Sequence, residues 1–246
     1  MALIVNADDL GMSDAVNAAI REAFDAGIID RTTLMVNMPK AEDAVRLAKE
    51  AGFIDRVGLH LNLTSGKPLT DRLAKDPIMC NSAGEFTADF ARKLKTRFFL
   101  PRDTEDAVEG EIRAQLDRYR ELGGVLWHID SHHHVHTDPS IWKILKKVIR
   151  DYPVKSVRLG RNMFTGPSLL NRLFKFILNA SIRRRCEIRP DLFGSRTDFD
   201  AYAARGMERL QGRNVEVMVH PVYDTAHVLS DIRSGEYFEL TRPNIM

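Results

Sequence analysis

Apolar and polar positions along the chain alternate between two periods. Short, nearly continuous apolar runs at Leu3 to Ala7, Thr32 to Asn37, Val57 to Leu63, Val125 to Ile129, Lys155 to Leu159 and Val215 to Val219 read as strands buried on both faces. Between them, apolar residues recur at helical spacing over Ala41 to Ala51, Thr104 to Leu122, Ile141 to Arg150, Leu169 to Arg185 and Phe199 to Leu210. Another helix follows a cap at Ser13, and Asp138-Pro139 supplies a cap and first position for the helix over Ile141 to Arg150. Repeated strand–helix units with buried strands predict a parallel sheet covered by helices. A barrel is favoured over an open sheet, because no Gly-rich phosphate or dinucleotide loop follows the first strand.

Two stretches depart from this rhythm. From Ser65 to Arg102 the residues Gly66, Pro68, Pro77, Gly84 and Pro101 interrupt every pattern, predicting an insertion or long loop that shapes a substrate site. From Asp224 onward periodicity is weak, and this tail is expected to pack across the barrel or against a partner.

Composition narrows the class. A chain of 246 residues fits one large α/β barrel domain spanning 1–246, and 44% hydrophobic with 28% charged residues is ordinary for a full core. A formal charge of +2 gives no overall electrostatic case for a nucleic-acid or membrane partner. The densest basic run, Arg183 to Arg185, ends a helical pattern and reads as a solvated helix end. Cys80 and Cys186 are far apart, as expected of a reducing compartment. Leu3-Ile4-Val5 is too short for a signal-peptide core, and no run approaches the ~20 apolar residues of a membrane span. The expectation is a cytoplasmic protein.

The chemistry concentrates in His128-Ile129-Asp130-Ser131-His132-His133-His134-Val135-His136, which holds five of the eight histidines. A strand runs into this stretch and a helix leaves it. Asp8 and Asp9 end the first predicted strand, His60 lies in the third, Arg158 in the fifth, and His220 closes the last. The carboxyl ends of barrel strands converge on one face, where catalysis occurs. One Asp and two His would supply three ligands to a divalent ion and leave positions open. A second Asp is then free as a general base, and a further His as a general acid, a combination suited to metal-assisted hydrolysis.

The blocks Asn6-Ala7-Asp8-Asp9-Leu10-Gly11, Gly58 to Thr64, Gly66-Lys67-Pro68-Leu69, Asp130 to His136 and Val219-His220-Pro221 resemble the signature blocks of the YdjC family. That family comprises carbohydrate deacetylases related to chitooligosaccharide deacetylase and to the HpnK proteins of hopanoid biosynthesis. Leu10 stands where the family often has Phe. The resemblance implies a distorted (β/α) TIM-like barrel of the glycoside hydrolase/deacetylase superfamily, with a divalent ion, Mg2+ or Zn2+, held by Asp9, His60 and His132, and Asp8 as base. The four-residue spacing of His128 and His132 would place both on one metal only in a helix. By resemblance His132 is the ligand, while His128 supports the site or contacts substrate.

His134 and His136 are candidate substrate contacts or partners of the ligands, and His133 is open to an outward role. The implied reaction removes an acetyl group from an N-acetylated sugar or related acetylated carbohydrate. His220 would protonate the leaving amine and Arg158 would orient Asp8, unless Arg158 instead forms a surface salt bridge. A homodimer is compatible with the resemblance. Two other classes stand beside it. A metal-dependent phosphoesterase would need more ligands and an early His-x-His pair, which the amino terminus lacks. A non-catalytic sugar-binding protein would have no use for both Asp8 and His220.

Overall fold

The computed structural model describes residues 2–163, 168–233 and 235–243. Seven strands form one parallel sheet in the order β5-β4-β3-β2-β1-β7-β6: β1 (Ala2–Leu10), β2 (Arg31–Leu34), β3 (Val57–Leu61), β4 (His128–Ser131), β5 (Ser156–Val157), β6 (Leu192–Ser195) and β7 (Asn214–Val219). Every residue of β3 and β4 is buried, as the continuous apolar runs require when both faces of a parallel sheet are covered. The covering helices are α1 (Asp14–Asp25), α2 (Ala41–Glu50), the short α3 (Asp71–Ala74), α4 (Asp89–Arg92) and α5 (Leu94–Phe98), α6 (Arg102–Glu121), α7 (Pro139–Val148), α8 (Leu169–Arg183) and α9 (Arg196–Ala203).

The sheet curls into a partial barrel. The chain leaves β5 at Val157, and a few residues later the Asn162 and Met163 amides donate to the Phe193 carbonyl of β6, at 3.0 and 3.4 Å. The Asn162 side chain also accepts from the Phe193 amide (2.8 Å) and donates to the Asp191 carbonyl (3.0 Å). The two edges of the sheet are therefore joined by an irregular seam where a closed barrel would have another strand.

Helix faces follow the sequence pattern. Helix α1 starts at Ser13, whose side chain accepts from the Val16 amide, and buries Ala19, Ile20, Ala23 and Phe24 at three- and four-residue intervals. Helix α6 buries Ala107, Val108, Ile112, Leu116 and Tyr119, with Glu111 and Gln115 on the same face. These two polar residues pin the segment predicted as a long loop. Glu111 accepts from the Leu69 and Thr70 amides (both 2.9 Å), and Gln115 brackets Asn62 through its backbone amide (3.0 Å) and carbonyl (2.7 Å). The stretch from Ser65 to Arg102 thus carries α3 to α5, with α3 against α6 and α5 against α7.

Several expected boundaries move. The strand read over Val125 to Ile129 begins only at His128. Trp127 instead packs its ring against Tyr119 and Tyr152, at 5.4 and 6.3 Å, covering the amino end of the sheet. The helix read over Phe199 to Leu210 starts earlier and breaks. Ser195 and Asp198 form a reciprocal cap at Arg196, and Gly206 (φ 124°) separates α9 from the 3-10 turn Met207–Leu210. Asp138 does precede α7, yet its carboxylate accepts from Arg97 Nε (2.7 Å) and does not cap, so it ties α5 to α7. The tail is not irregular: β8 (Pro221–Tyr223), β9 (Leu229–Arg233) and β10 (Glu236–Glu239) form an antiparallel sheet against α1. Strand β6, in Leu192-Phe193-Gly194-Ser195, was not read from the sequence, because four residues between a proline-bounded loop and a helix give no period.

Candidate active site

The last residues of β1 set the site. The β1–β2 register shifts between Ala7 and Leu10, and Asp9 there has φ 70°, a left-handed value that Asp tolerates better than most residues. The bulge points Asp8 into the partial barrel, where it is 2% exposed, and leaves the Asp9 carboxylate at the rim, 14% exposed. Adjacent acidic residues thereby receive different environments.

At the rim, Asp9 Oδ1 lies 3.2 Å from His60 Nε2 and 2.8 Å from His132 Nδ1. The three donor atoms all fall within 4.8 Å of one another. His60 comes from β3 and His132 from the turn that follows β4. His60 Nδ1 donates to Asp130 Oδ1 at 2.7 Å, and Thr33 Oγ1 donates to the other Asp130 oxygen at 3.0 Å. That bond fixes the tautomer of His60 and leaves Nε2 facing Asp9, the arrangement by which carboxylates orient metal-binding imidazoles.

Two further groups of donors, Asp8–His60–Asp130 and His128–Asp130–Glu216, are completely buried. A guanidinium already occupies both. Arg158, fully buried, donates from Nη1 and Nη2 to the two Asp8 oxygens (2.6 and 2.7 Å), from Nη2 to Asp130 Oδ2 (2.7 Å) and from Nε to Glu216 Oε1 (2.6 Å). Its guanidinium carbon lies 4.8 Å from the centre of the Phe193 ring. Arg31 completes the set with an ion pair to Glu216 (2.7 Å). The surface-bridge reading of Arg158 is therefore corrected: it is the hub of the interior.

The charge count of this hub bears on the rim. Asp8, Asp9, Asp130 and Glu216 face Arg31 and Arg158, so anionic groups exceed fixed cations by two, the charge of one divalent ion. Burial works against the charged form of His60, but Asp130 first and then Asp9 and Asp8 overcome it, raising its pKa to about 10. That proton and a metal ion compete for His60 Nε2, so an ion bound there would displace it. Both the donor set and the charge balance fit a dication at Asp9, His60 and His132. Burial would also raise the carboxyl of Asp8, but Arg158 outweighs it and holds Asp8 well below the usual carboxylate range. For Asp9 the same burial cost is outweighed by His132 and His60.

The histidine block divides by position. His128 stands at the amino end of β4, opposite the rim, 1% exposed. Its Nε2 accepts from Arg31 (3.2 Å), so Nδ1 carries the proton donated to Ser156 Oγ (2.8 Å). His136, also fully buried, donates from Nε2 to the Arg158 carbonyl (3.1 Å) and accepts at Nδ1 from Ser131 (2.5 Å). Burial lowers both, His136 to about 4, in keeping with neutral rings locked by internal partners.

His133 and His134 both have left-handed backbone, φ 53° and 56°, strain of the kind that clusters at functional sites. His133 is exposed and stacks on His132 at 4.0 Å. The His134 ring meets Phe193 edge-on at 5.8 Å, and its buried Nδ1 has no hydrogen-bond partner. Both line a cavity of about 770 Å³ that also reaches Arg97, Phe98, Arg161 and Phe174.

His220 is the single residue between β7 and β8, which begins at Pro221. Its amide donates to Asp231 Oδ1 (2.8 Å), and Arg233 Nε holds the other oxygen (2.6 Å). The tail sheet thus fixes His220, which lines a second cavity of about 340 Å³ with Arg161, Asp198 and Arg233. Sequence reasoning missed Arg31, Thr33, Glu216 and Asn6, whose side-chain amide donates to Asp8 Oδ1 (2.8 Å), and gave Asp130 no role. One signal was available for Glu216: it is the lone charge inside a buried five-residue run.

Fold and rim together define a class: a parallel α/β partial barrel with carboxylates and imidazoles gathered where its strands end. A family model described as YdjC-like protein matches residues 2–245, and the chain belongs to the YdjC family. It is 36% identical over 223 residues to a carbohydrate deacetylase of Geobacillus stearothermophilus, covering 89% of this chain and 79% of that protein. A carbohydrate deacetylase of Halalkalibacterium halodurans is 32% identical, with 91% and 86% covered. Among solved structures, a putative cellobiose-phosphate cleavage protein from Enterococcus faecalis V583 superposes with a TM-score of 0.66 at 25% identity, over 92% of this chain and 82% of that one.

Proposed function

We propose that the protein is a divalent-metal-dependent hydrolase that removes the acetyl group from an N-acetylated sugar or a related acetylated carbohydrate. The observation that carries this reading is the facing of Asp9, His60 and His132 donor atoms at an accessible rim, with the Arg158-held Asp8 inside the same barrel mouth. The names of the relatives support the substrate class. Only this group among the described residues combines three donors with solvent access, which favours one ion over the two or three of a phosphoesterase. The Asp/His donor set suits zinc, or magnesium with more of its shell supplied by water.

The bound ion would polarise the acetyl carbonyl and the attacking water. Asp8, ionised throughout the working range, accepts the proton of that water, and the bidentate Arg158 fork sets the direction of its oxygens. His220 protonates the departing amine. His134 Nδ1 is assigned a polar group of the substrate, because a buried ring nitrogen without a partner is costly unless a ligand satisfies it. His128 and His136 are assigned internal roles, holding Arg31, Ser156 and the Arg158 carbonyl in place.

The ligand set is tested by metal content. His60→Ala and His132→Ala should each lose stoichiometric metal by elemental analysis while retaining the wild-type circular dichroism spectrum. Full occupancy in either variant removes that residue from the set, and full occupancy without acetate release from any acetylated sugar removes the proposed reaction.

His220 is tested by leaving group. His220→Ala should keep its metal and lose roughly 10²-fold or more on an N-acetyl amine, whose departure needs a proton, while an activated aryl acetate is partly spared. Equal losses on both would make His220 a positioning group instead.

A further inference from the structure

Overall charge conceals a strong local segregation. Residues 90–102 contain Arg92, Lys93, Lys95, Arg97 and Arg102, and residues 168–186 contain Arg172, Lys175, Arg183, Arg184 and Arg185, with no Asp or Glu in either stretch. Since the whole chain is only +2, the remainder is net acidic. The two basic stretches adjoin in the fold: Phe98 of α5 lies 6.2 Å, ring to ring, from Phe174 of α8, and 6.4 Å from Phe99.

Helix α8 is apolar on two sides. Leu178 and Ile182 face the body of the protein and are buried. Leu169, Leu173, Phe176 and Ile177 form a second stripe at i, i+4, i+7 and i+8, and each is between 56% and 81% exposed. Leu94 on α5 and Phe99 just after it are also exposed, 70% and 73%. An outward apolar stripe along one helix, as on α8, marks an interaction site, not ordinary scatter. Lys93, Lys95, Arg172, Arg184 and Arg185 are exposed around it.

We propose that the joint outer face of α5 and α8 docks onto the surface of an anionic lipid bilayer, lying in the interface without spanning it. The stripe projects outward along a helix, the form that inserts between headgroups, and exposed cations border it. Charge selects this occupant over a second copy of the chain. An isologous contact would set one ring of cations against an identical ring, whereas an anionic headgroup layer neutralises it. No described helix is long and apolar enough to cross a membrane, so the association is peripheral.

The test uses the full chain and vesicle co-sedimentation. Wild-type protein should pellet with vesicles of equal phosphatidylcholine and phosphatidylglycerol, remain in solution with phosphatidylcholine alone, and release as salt is added. The variant Leu173→Ser/Phe176→Ser/Ile177→Ser and the variant Lys93→Glu/Lys95→Glu/Arg172→Glu should each lose at least about tenfold in partitioning. Both leave the rim untouched, and an unchanged thermal melt establishes that they fold. The proposal is overturned if the wild type ignores anionic vesicles, if the folded variants bind as well as the wild type, or if the apolar variant converts a dimer to a monomer by light scattering. Because no step of the test reads acetate release, its outcome is independent of the proposed reaction.

Discussion

Arg158→Met should lower the melting temperature by roughly 10 °C or more. The substitution keeps an unbranched side chain of similar reach but leaves Asp8, Asp130 and Glu216 buried together without their shared cation. Removing one partner from a buried ion pair costs about 3–5 kcal/mol, and in a chain of this size each kcal/mol moves the midpoint by about 2–4 °C. Acid provides a second readout. Burial opposes ionisation of Glu216, but Arg31 and Arg158 outweigh it and lower its pKa from 4.5 to about 2. Between those values the unfolded chain holds the proton and the folded chain does not. Wild-type stability from this group is therefore complete above pH 4.5 and declines as pH falls towards 2. In Arg158→Met that decline should be shallower, because the carboxylates it crowds together are relieved by protonation. Thermal melts followed by circular dichroism across this range decide the matter; a midpoint within ~2 °C of wild type at neutral pH would contradict the hub role.

The second large effect is on turnover. Asp8→Asn should bind metal normally and lose roughly 10²–10⁴-fold in kcat, the range for removing a general base. The amide retains the shape of the carboxylate and can still accept from Arg158, whose charge remains balanced by Asp130 and Glu216. Folding is thus separated from proton transfer. The decisive comparison is elemental analysis alongside acetate release on the same preparation. Near-wild-type turnover with metal in place would move the base elsewhere, and loss of metal would make Asp8 part of the ligand environment.

What could be read from the chain depended on the periodicity of each element. The buried runs feeding β1, β3 and β7 are long enough to stand out, and each carries its polar residue at or near the end. Asp8, Asp9, His60 and His220 are accordingly legible in the sequence as residues of one face. His128 was misplaced for the same reason. Val125, Leu126 and Trp127 are apolar because Trp127 covers the amino end of the sheet, and extending the strand through them moved His128 from one end of the barrel to the other. Arg158 showed a charge in an apolar segment but not its partners. Asp8, Asp130 and Glu216 come from three strands, and only the curl of the sheet brings them to one guanidinium. Likewise, no local pattern reveals that Glu111 and Gln115 on α6 would anchor Asn62, Leu69 and Thr70, since most of the groups they bind are backbone amides and a carbonyl.

The irregular seam between β5 and β6 has a consequence for how the protein behaves in a crowd. A sheet that fails to close has two free margins, and free margins template pairing with other chains. Here both are spoken for within the molecule. At the free margin of β6, the Phe193 amide donates to the Asn162 side chain and its carbonyl accepts from the Asn162 and Met163 amides. On β5, the Val157 amide meets Cys186 Sγ, and the neighbouring Lys155 carbonyl receives the Glu187 and Ile188 amides. Among the described residues, both margins of the seven-stranded sheet thus have partners within the molecule, and Asn162, which takes no part in the chemistry at the rim, covers the β6 margin.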